Sequence, residues 1–441
     1  MSVEPQSATG PSSVPVARQG GPLRVALMGF GTVGRSVARI LTERTELAGR
    51  LQLTHVFNRN VAAKRADWVP DAVRWTDDPE VVFAAAPDVV VEVAGGLEPA
   101  GTWVRRALDQ GASVVTANKL LVATSGPDLL RRAGAHGGQL RFEAAVGGGV
   151  PLIHGVREGL AGDVLSRVTG ILNGTCNYVL SRMAATGESM AVVLDDARRL
   201  GYAEADPSSD VDGEDAAAKL VVLAGIAFGR HLALGDVPRR SIRPISATDF
   251  RYAARLGCTI RQIAMVEASG EGYHAFVGPA LVPSGSSFGR NEGANNVVTV
   301  SGRYGGESSF SGPGAGGFAT AVAVVSDLLS LADYSSRLVQ PAEWHPGRVV
   351  PPPALPYYLR FVVTDRPGIV STIASALARQ RINLDAMLQE PGYPREGLPF
   401  VITVDSCEEA ALRAALEDFS AAEFHAEPPL VLPMLGPAGA A

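Results

Sequence analysis

From Leu23 onward, short apolar runs alternate with longer stretches of helical periodicity. Residues 23–28, 51–57, 89–93 and 113–116 are runs of strand length. Residues 35–44, 99–110 and 126–136 read as the helices between them. Strand–helix alternation of this kind predicts a parallel sheet with helices on both faces. A second region begins near 151. Its helix over 212–229 is mostly Ala, Leu, Val and Ile, and strand-like pieces follow at 274–277 and 296–300. That region reads as α+β, with a sheet available for pairing subunits. An Ala-rich helix at 319–331 returns to the first domain. Residues 357–364, 369–380, 382–389, 400–405 and 408–419 read as strand, helix, strand, strand, helix, the order of a ferredoxin-like module.

These elements divide the chain into a Ser-, Pro- and Gly-rich disordered tail (1–21), a dinucleotide-binding domain (22–150, completed by 312–333) and a substrate and dimerisation domain (151–311). A Pro-rich linker (334–356) and a C-terminal domain (357–435) follow. At 441 residues the chain is too long for one core. The net charge of −6 and the lack of a basic patch exclude nucleic acid as a partner. Three widely spaced cysteines, Cys176, Cys258 and Cys407, argue against a disulfide framework. No apolar run spans a bilayer and no signal peptide is visible, so the expected location is the cytoplasm, away from membranes.

Gly29-Phe30-Gly31-Thr32-Val33-Gly34 follows the first strand and opens a helix, the context a dinucleotide site requires. The first glycine permits the turn, the second lets backbone approach a pyrophosphate, and the third lets helix and strand pack. With the alternating pattern, this makes the first domain a Rossmann-type, doubly wound α/β sheet. After the second strand an acid would hold a ribose 2′-hydroxyl. Here stand Asn58-Arg59-Asn60. Arg59 can accommodate a 2′-phosphate, which favours NADP over NAD; its other reading is a solvated loop cation. Gly95 ends a later strand, where backbone passes the nicotinamide half.

Asp215 and Lys219 sit four apart on one helical face, with Glu204 and Asp210 nearby. The spacing serves an i,i+4 ion pair or a site for a small substrate bearing an amino group. Lys119, just after a strand, is a second candidate cation. Glu143 followed by Gly147-Gly148-Gly149 reads as a hinge between domains or as oxygen ligands for a hard monovalent cation. Residues 170–178, which include Asn173 and Thr175, gather amides and a hydroxyl suited to a ligand.

GFGTVG, ANKLLVA (117–123), EAAVGGGVP (143–151), GILNGTCNY (170–178), GYAEADPSSDVDGEDAAAKL (201–220) and GPGAG (312–316) occur in one order. Together they resemble homoserine dehydrogenase, of the monofunctional type with a C-terminal ACT domain. The resemblance implies reversible reduction of L-aspartate 4-semialdehyde to L-homoserine with NADPH or NADH, in threonine, methionine and isoleucine biosynthesis. It implies that Glu204, Asp215 and Asp210, with Asn173 and Thr175, meet substrate. Lys219 would give the proton to the aldehyde oxygen, with Lys119 beside the same oxygen and the choice between them open. Gly29, Gly31, Thr32, Val33, Gly34, Arg59, Gly95, Lys119, Gly201 and Gly316 would line the cofactor. The carboxylate of Glu143 and the carbonyls of Val146, Gly148 and Val150 would hold Na+ or K+. Cys176 stands where the family commonly has threonine, and Asn60 where aspartate is usual.

Thr364-Asp365-Arg366-Pro367-Gly368 resembles the first turn of ACT domains, which implies L-threonine as an effector; a module that only dimerises is the other reading. A homodimer or homotetramer is expected. Two further functions stay open: a dehydrogenase of another amino-acid aldehyde, and a nucleotide-bound sensor without turnover. A sensor has no need of a proton donor, so Lys219 with Asp215 and Glu204 argues against the second.

Overall fold

The computed structural model describes residues 21–333 and 343–436. The chain forms two compact units. Of the described residues, 21–144, 320–333 and 343 belong to unit 1, and 145–319 and 344–436 to unit 2. The expected tail and the first part of the expected linker (334–342) lie outside the described residues.

Unit 1 holds six strands: β1 (Leu23–Met28), β2 (Leu51–Phe57), β3 (Arg74–Thr76), β4 (Val89–Glu92), β5 (Ser113–Thr116) and β6 (Leu140–Arg141). They form one parallel sheet in the order β3-β2-β1-β4-β5-β6. The order reverses beside β1, so a crevice opens past the carboxyl ends of β1 and β4. Val25, Leu27, Val56, Val89 and Val91 are fully or almost fully buried, as a sheet covered on both faces demands. Helix Gly317–Asp333 contributes Ala321, Val324, Leu328 and Leu331 to the same core. The helix expected from 126 begins at Lys119 and runs to Ala135, passing through Pro127.

Unit 2 begins with β7 (Leu165–Ile171) and β8 (Arg230–Leu232), followed by β9 (Cys258–Ser269), β10 (Gly272–Pro283), β11 (Asn295–Gly302) and β12 (Gly306–Pro313). With β13 (His345–Gly347) and β14 (Val349–Val350) these make a sheet ordered β12-β11-β7-β9-β10-β14 and a β13-β8 pair. The stretch expected to be linker therefore carries two strands after 344. It is also pinned by Trp344, which is 5% exposed. A side chain at Gly225 would collide with the Trp344 ring. The apolar helix runs Glu214–Phe228 and stops at Gly229, whose φ of +62° suits a left-handed C-terminal residue.

The C-terminal module has β15 (Leu355–Val363), β16 (Leu384–Gln389), β17 (Leu398–Cys407) and β18 (His425–Pro433), an antiparallel sheet ordered β16-β17-β15-β18. The last strand, absent from the sequence reading, completes βαββαβ. Alternation along β15 divides its side chains between two cores. Tyr357, Leu359, Phe361 and Val363 pack with helices Ile369–Arg379 and Glu409–Glu417. Tyr358, with Val401, Leu430 and Leu432, packs instead on Phe250, Tyr252, Ile260 and Leu281 of the substrate region. No helix among the described residues is long and apolar enough to cross a membrane.

Candidate active site

At the nucleotide end, β1 leads into Gly29 at φ +114°. A Cβ there would lie 3.0 Å from the backbone of Val93 and Ala94, and one on Gly34 would overlap the Gly29 carbonyl. Around Gly31 there is open space within 4 Å. Helix Thr32–Glu43 starts with no side-chain cap and no acid in its first turn. Thr32 is exposed and Val33 half-buried. An uncapped helix start with room beside it fits the phosphates of a dinucleotide.

The ends of β4 and β5 are tied by a buried network that the sequence reading missed. Glu92, fully buried, accepts from the amides of Ala94 and Gly95 at 2.9 Å each and from Thr116 Oγ1 at 2.6 Å. Thr116 Oγ1 also accepts from the Asn118 amide at 3.0 Å. Asn118 caps the next helix through the Leu121 amide at 3.1 Å, and its Nδ2 donates to the Gly96 carbonyl at 2.6 Å. This fixes the Gly95 turn and sets Lys119 at the first position of helix Lys119–Ala135, half-buried. Past β2, Asn60 caps a short helix by accepting from the Ala63 amide at 3.1 Å, and Arg59 is exposed. The position suited to an acid is thus an amide in structural use.

In unit 2, β7 leads into Leu172-Asn173, where Asn173 caps helix Gly174–Thr186 by accepting from the Cys176 amide at 2.8 Å. Its Nδ2 donates to Asp210 Oδ1 at 2.6 Å and Asp215 Oδ2 at 2.9 Å. Lys219 Nζ donates to the same Asp215 Oδ2 and to the Leu172 carbonyl, both at 2.7 Å. An ammonium has three donors, and these bonds use two. Asn296 Nδ2 reaches the Leu172 carbonyl at 3.4 Å. The sequence reading also missed Gln262, whose Nε2 donates to the Asp210 carbonyl at 3.1 Å. Cys176 Sγ donates to that carbonyl at 3.2 Å. Burial, then the charges of Asp210 and Asp215, push the Cys176 thiol well above its usual range, so it stays protonated.

The structure therefore brings Asn173, Asp210, Asp215 and Lys219 into one network. The lysine is engaged in the i,i+4 pair that the spacing allowed. Thr175 Oγ1 donates to the Tyr202 carbonyl at 2.6 Å, which ties the helix start to the carboxylate-rich loop. The Tyr178 and Tyr202 rings lie 4.9 Å apart, tilted at an interplanar angle of 36°. Glu204 is exposed on that loop, outside the network, and Gly201 turns at φ +77°. Glu143, 2% exposed, donates its amide to Asp327 Oδ2 at 2.8 Å. Val146 and Val150 are buried, and Gly148 adopts φ +59°. Gly316 is exposed at φ +131°.

Residues 151–329 match the family model described as homoserine dehydrogenase, 29–143 its NAD-binding domain, and 357–424 the ACT domain. A homoserine dehydrogenase of Mycobacterium tuberculosis is 39% identical over 417 residues, covering 90% of this chain and 94% of that one. One from Synechocystis is 35% identical over 431 residues, covering 94% and 99%. The crystal structure of a homoserine dehydrogenase from Thiobacillus denitrificans is similar at a TM-score of 0.87 and 34% identity, covering 95% and 99%. A hyperthermophilic archaeal homoserine dehydrogenase in complex with NADPH is similar at 0.61 and 27%, covering 72% of this chain and 99% of that one.

Proposed function

That this chain belongs to the homoserine dehydrogenase family is the premise from which we propose how its residues divide the work of the reaction. The enzyme interconverts L-aspartate 4-semialdehyde and L-homoserine with a nicotinamide nucleotide. We assign proton delivery to Lys219 Nζ, and the observation that carries this is the ammonium held by Asp215 Oδ2 and the Leu172 carbonyl. A nicotinamide held there would supply the hydride. As the carbonyl oxygen gains charge, the Lys219 ammonium stabilises it and gives it a proton. Asp215 and Asn173 orient the lysine, while Asp210 and Glu204 hold the substrate amino group. Lys119 stands as the second cation for the same oxygen.

Gly29, Gly31, Thr32, Val33 and Gly34 would hold the pyrophosphate, and Gly95, Gly201 and Gly316 the rest of the nucleotide. Arg59, with Asn60 where an acid would sit, favours NADPH. The archaeal relative in complex with NADPH supports that reading. Arg59→Ala should raise KM for NADPH and leave KM for NADH unchanged. The segment 143–150 would hold Na+ or K+ through Glu143 and the carbonyls of Val146, Gly148 and Val150, a set of hard oxygen donors. Its check is a rise in thermal stability on replacing tetramethylammonium by potassium. We further propose L-threonine as the ACT effector, a cytoplasmic location and a dimer or tetramer, which light scattering would size. The direct test of the activity is the fall of NADPH absorbance on adding L-aspartate 4-semialdehyde. A parent enzyme that leaves the absorbance flat would overturn the assignment.

A further inference from the structure

The face of the C-terminal sheet that packs on the substrate region buries an arginine beside its apolar side chains. Arg360, on β15, is 5% exposed. Its Nη1 donates to Asp249 Oδ2 at 2.7 Å and to Ser246 Oγ at 2.9 Å. Asp249, fully buried, also accepts from the Ser246 amide and hydroxyl at 2.8 Å each and from Tyr358 Oη at 3.0 Å. Burial and the neighbouring Asp249 push the Tyr358 phenol far up, so it remains a donor. The guanidinium is thereby held rigidly at one edge, but its Nε is buried without a hydrogen-bond partner. Leaving a buried donor unpaired costs stability, so such a group calls for a reason.

Beside it lies a pocket of about 200 Å³ lined by Ser246, Thr248, Arg360, Val362, Tyr393 and Glu427, among others. Val362 pairs with Glu427 across the β15–β18 register, so the acid rises next to the arginine. Glu427 Oε2 and Arg360 Nη2 are 3.5 Å apart, too long for a tight pair. Of the lining side chains Arg360 carries a positive charge and Glu427 a negative one, so the pocket offers a partner to each end of a zwitterion. The volume falls below the range of about 300–1,000 Å³ typical of drug-sized ligands, and suits a small molecule.

We propose that this pocket, at the seam between the C-terminal sheet and helix Ala247–Arg255, binds a small α-amino acid with its carboxylate on Arg360 and its ammonium on Glu427. The inference rests on the ACT module being an effector module, and moves the ligand from the turn at Asp365–Gly368 to the seam. Helix Ala247–Arg255 leads into β9, whose Gln262 holds the Asp210 carbonyl, so the ligand would sit one element away from the substrate network.

The test uses the full chain. Proteinogenic L-amino acids are screened at millimolar concentration by thermal shift, and any binder is titrated by calorimetry against the parent, Glu427→Gln and Asp365→Ala. Glu427 is more than half exposed, so Glu427→Gln should fold and keep basal activity. Loss of one charged hydrogen bond should weaken binding about tenfold or more in Glu427→Gln. Asp365→Ala should bind as the parent does, and the binder's carboxamide, which lacks the carboxylate, should bind to neither variant nor parent. If Asp365→Ala loses the ligand and Glu427→Gln keeps it, the seam site is wrong and the effector reading stands. If no amino acid shifts the melting temperature or gives heat, both fail.

Discussion

Replacing Lys219 by methionine keeps the side-chain stem and removes the ammonium. Two effects follow, and the structure separates them. The side chains of Lys219 and Asp215 are only 12% and 10% exposed, so their pair belongs to the buried regime, not to surface pairs of little worth. Removing one partner leaves a buried carboxylate without its ammonium, at a cost of about 3–5 kcal/mol. For a unit of this size each kcal/mol moves Tm by roughly 2–4 °C, so Tm should fall on the order of 10 °C. Catalysis should fall by roughly two to four decades, the worth of a general acid. The double variant Lys219→Met/Asp215→Asn removes the stranded charge, because an asparagine can still accept from Asn173 through Oδ1. It should recover most of the lost stability and none of the lost rate. Calorimetric melting gives the first quantity and single-turnover NADPH oxidation at saturating aldehyde gives the second. A single variant turning over within threefold of the parent would remove Lys219 from the chemistry and leave Lys119 as the donor. A double variant no more stable than the single would show that an uncompensated charge is not what the mutation creates.

Gly34→Ala should abolish nucleotide binding in a fluorescence titration, because its Cβ overlaps the Gly29 carbonyl and forces helix and strand apart. Cys176 should resist iodoacetamide in the folded protein at neutral pH and react once denatured, since burial holds its thiol protonated; mass spectrometry reads this directly. Arg243 holds both oxygens of Asp212 and the Ser208 hydroxyl, and its hydrogen bonds lower the Asp212 pKa. A carboxyl lowered on folding adds stability above its unfolded pKa and loses it as pH falls through the folded one. Arg243→Gln should therefore be slightly less stable than the parent at neutral pH, with the difference vanishing as pH falls through the folded pKa of Asp212, which melting temperatures measured across pH would read. Both side chains are more than a third exposed, so the difference is small.

Much of unit 1 is readable because its short apolar strands alternate with helical stretches, with the glycine loop at the end of the first strand. The long hairpin of β9 and β10 was not readable at its true length. Its strands bury Arg261 and Gln262 among apolar residues, which breaks both alternation and continuity. Proline favours a helix's first turn, yet Pro127 lies inside a helix that begins at the cap Asn118 provides. The Lys219–Asp215 pair was visible in its spacing alone. Glu92 and Gln262 were not, since their work is to grip backbone groups brought near only by the fold, and no local pattern marks that.

The two-sided use of the C-terminal sheet bears on how this protein can be shortened. Tyr358, Val401, Leu430 and Leu432 serve as a lid over Phe250, Tyr252, Ile260 and Leu281, and the Leu435 amide donates to the Leu281 carbonyl. Stopping the chain after 350 would wet that apolar surface, so a soluble catalytic fragment needs polar replacements at Phe250, Ile260 and Leu281, not a stop codon alone.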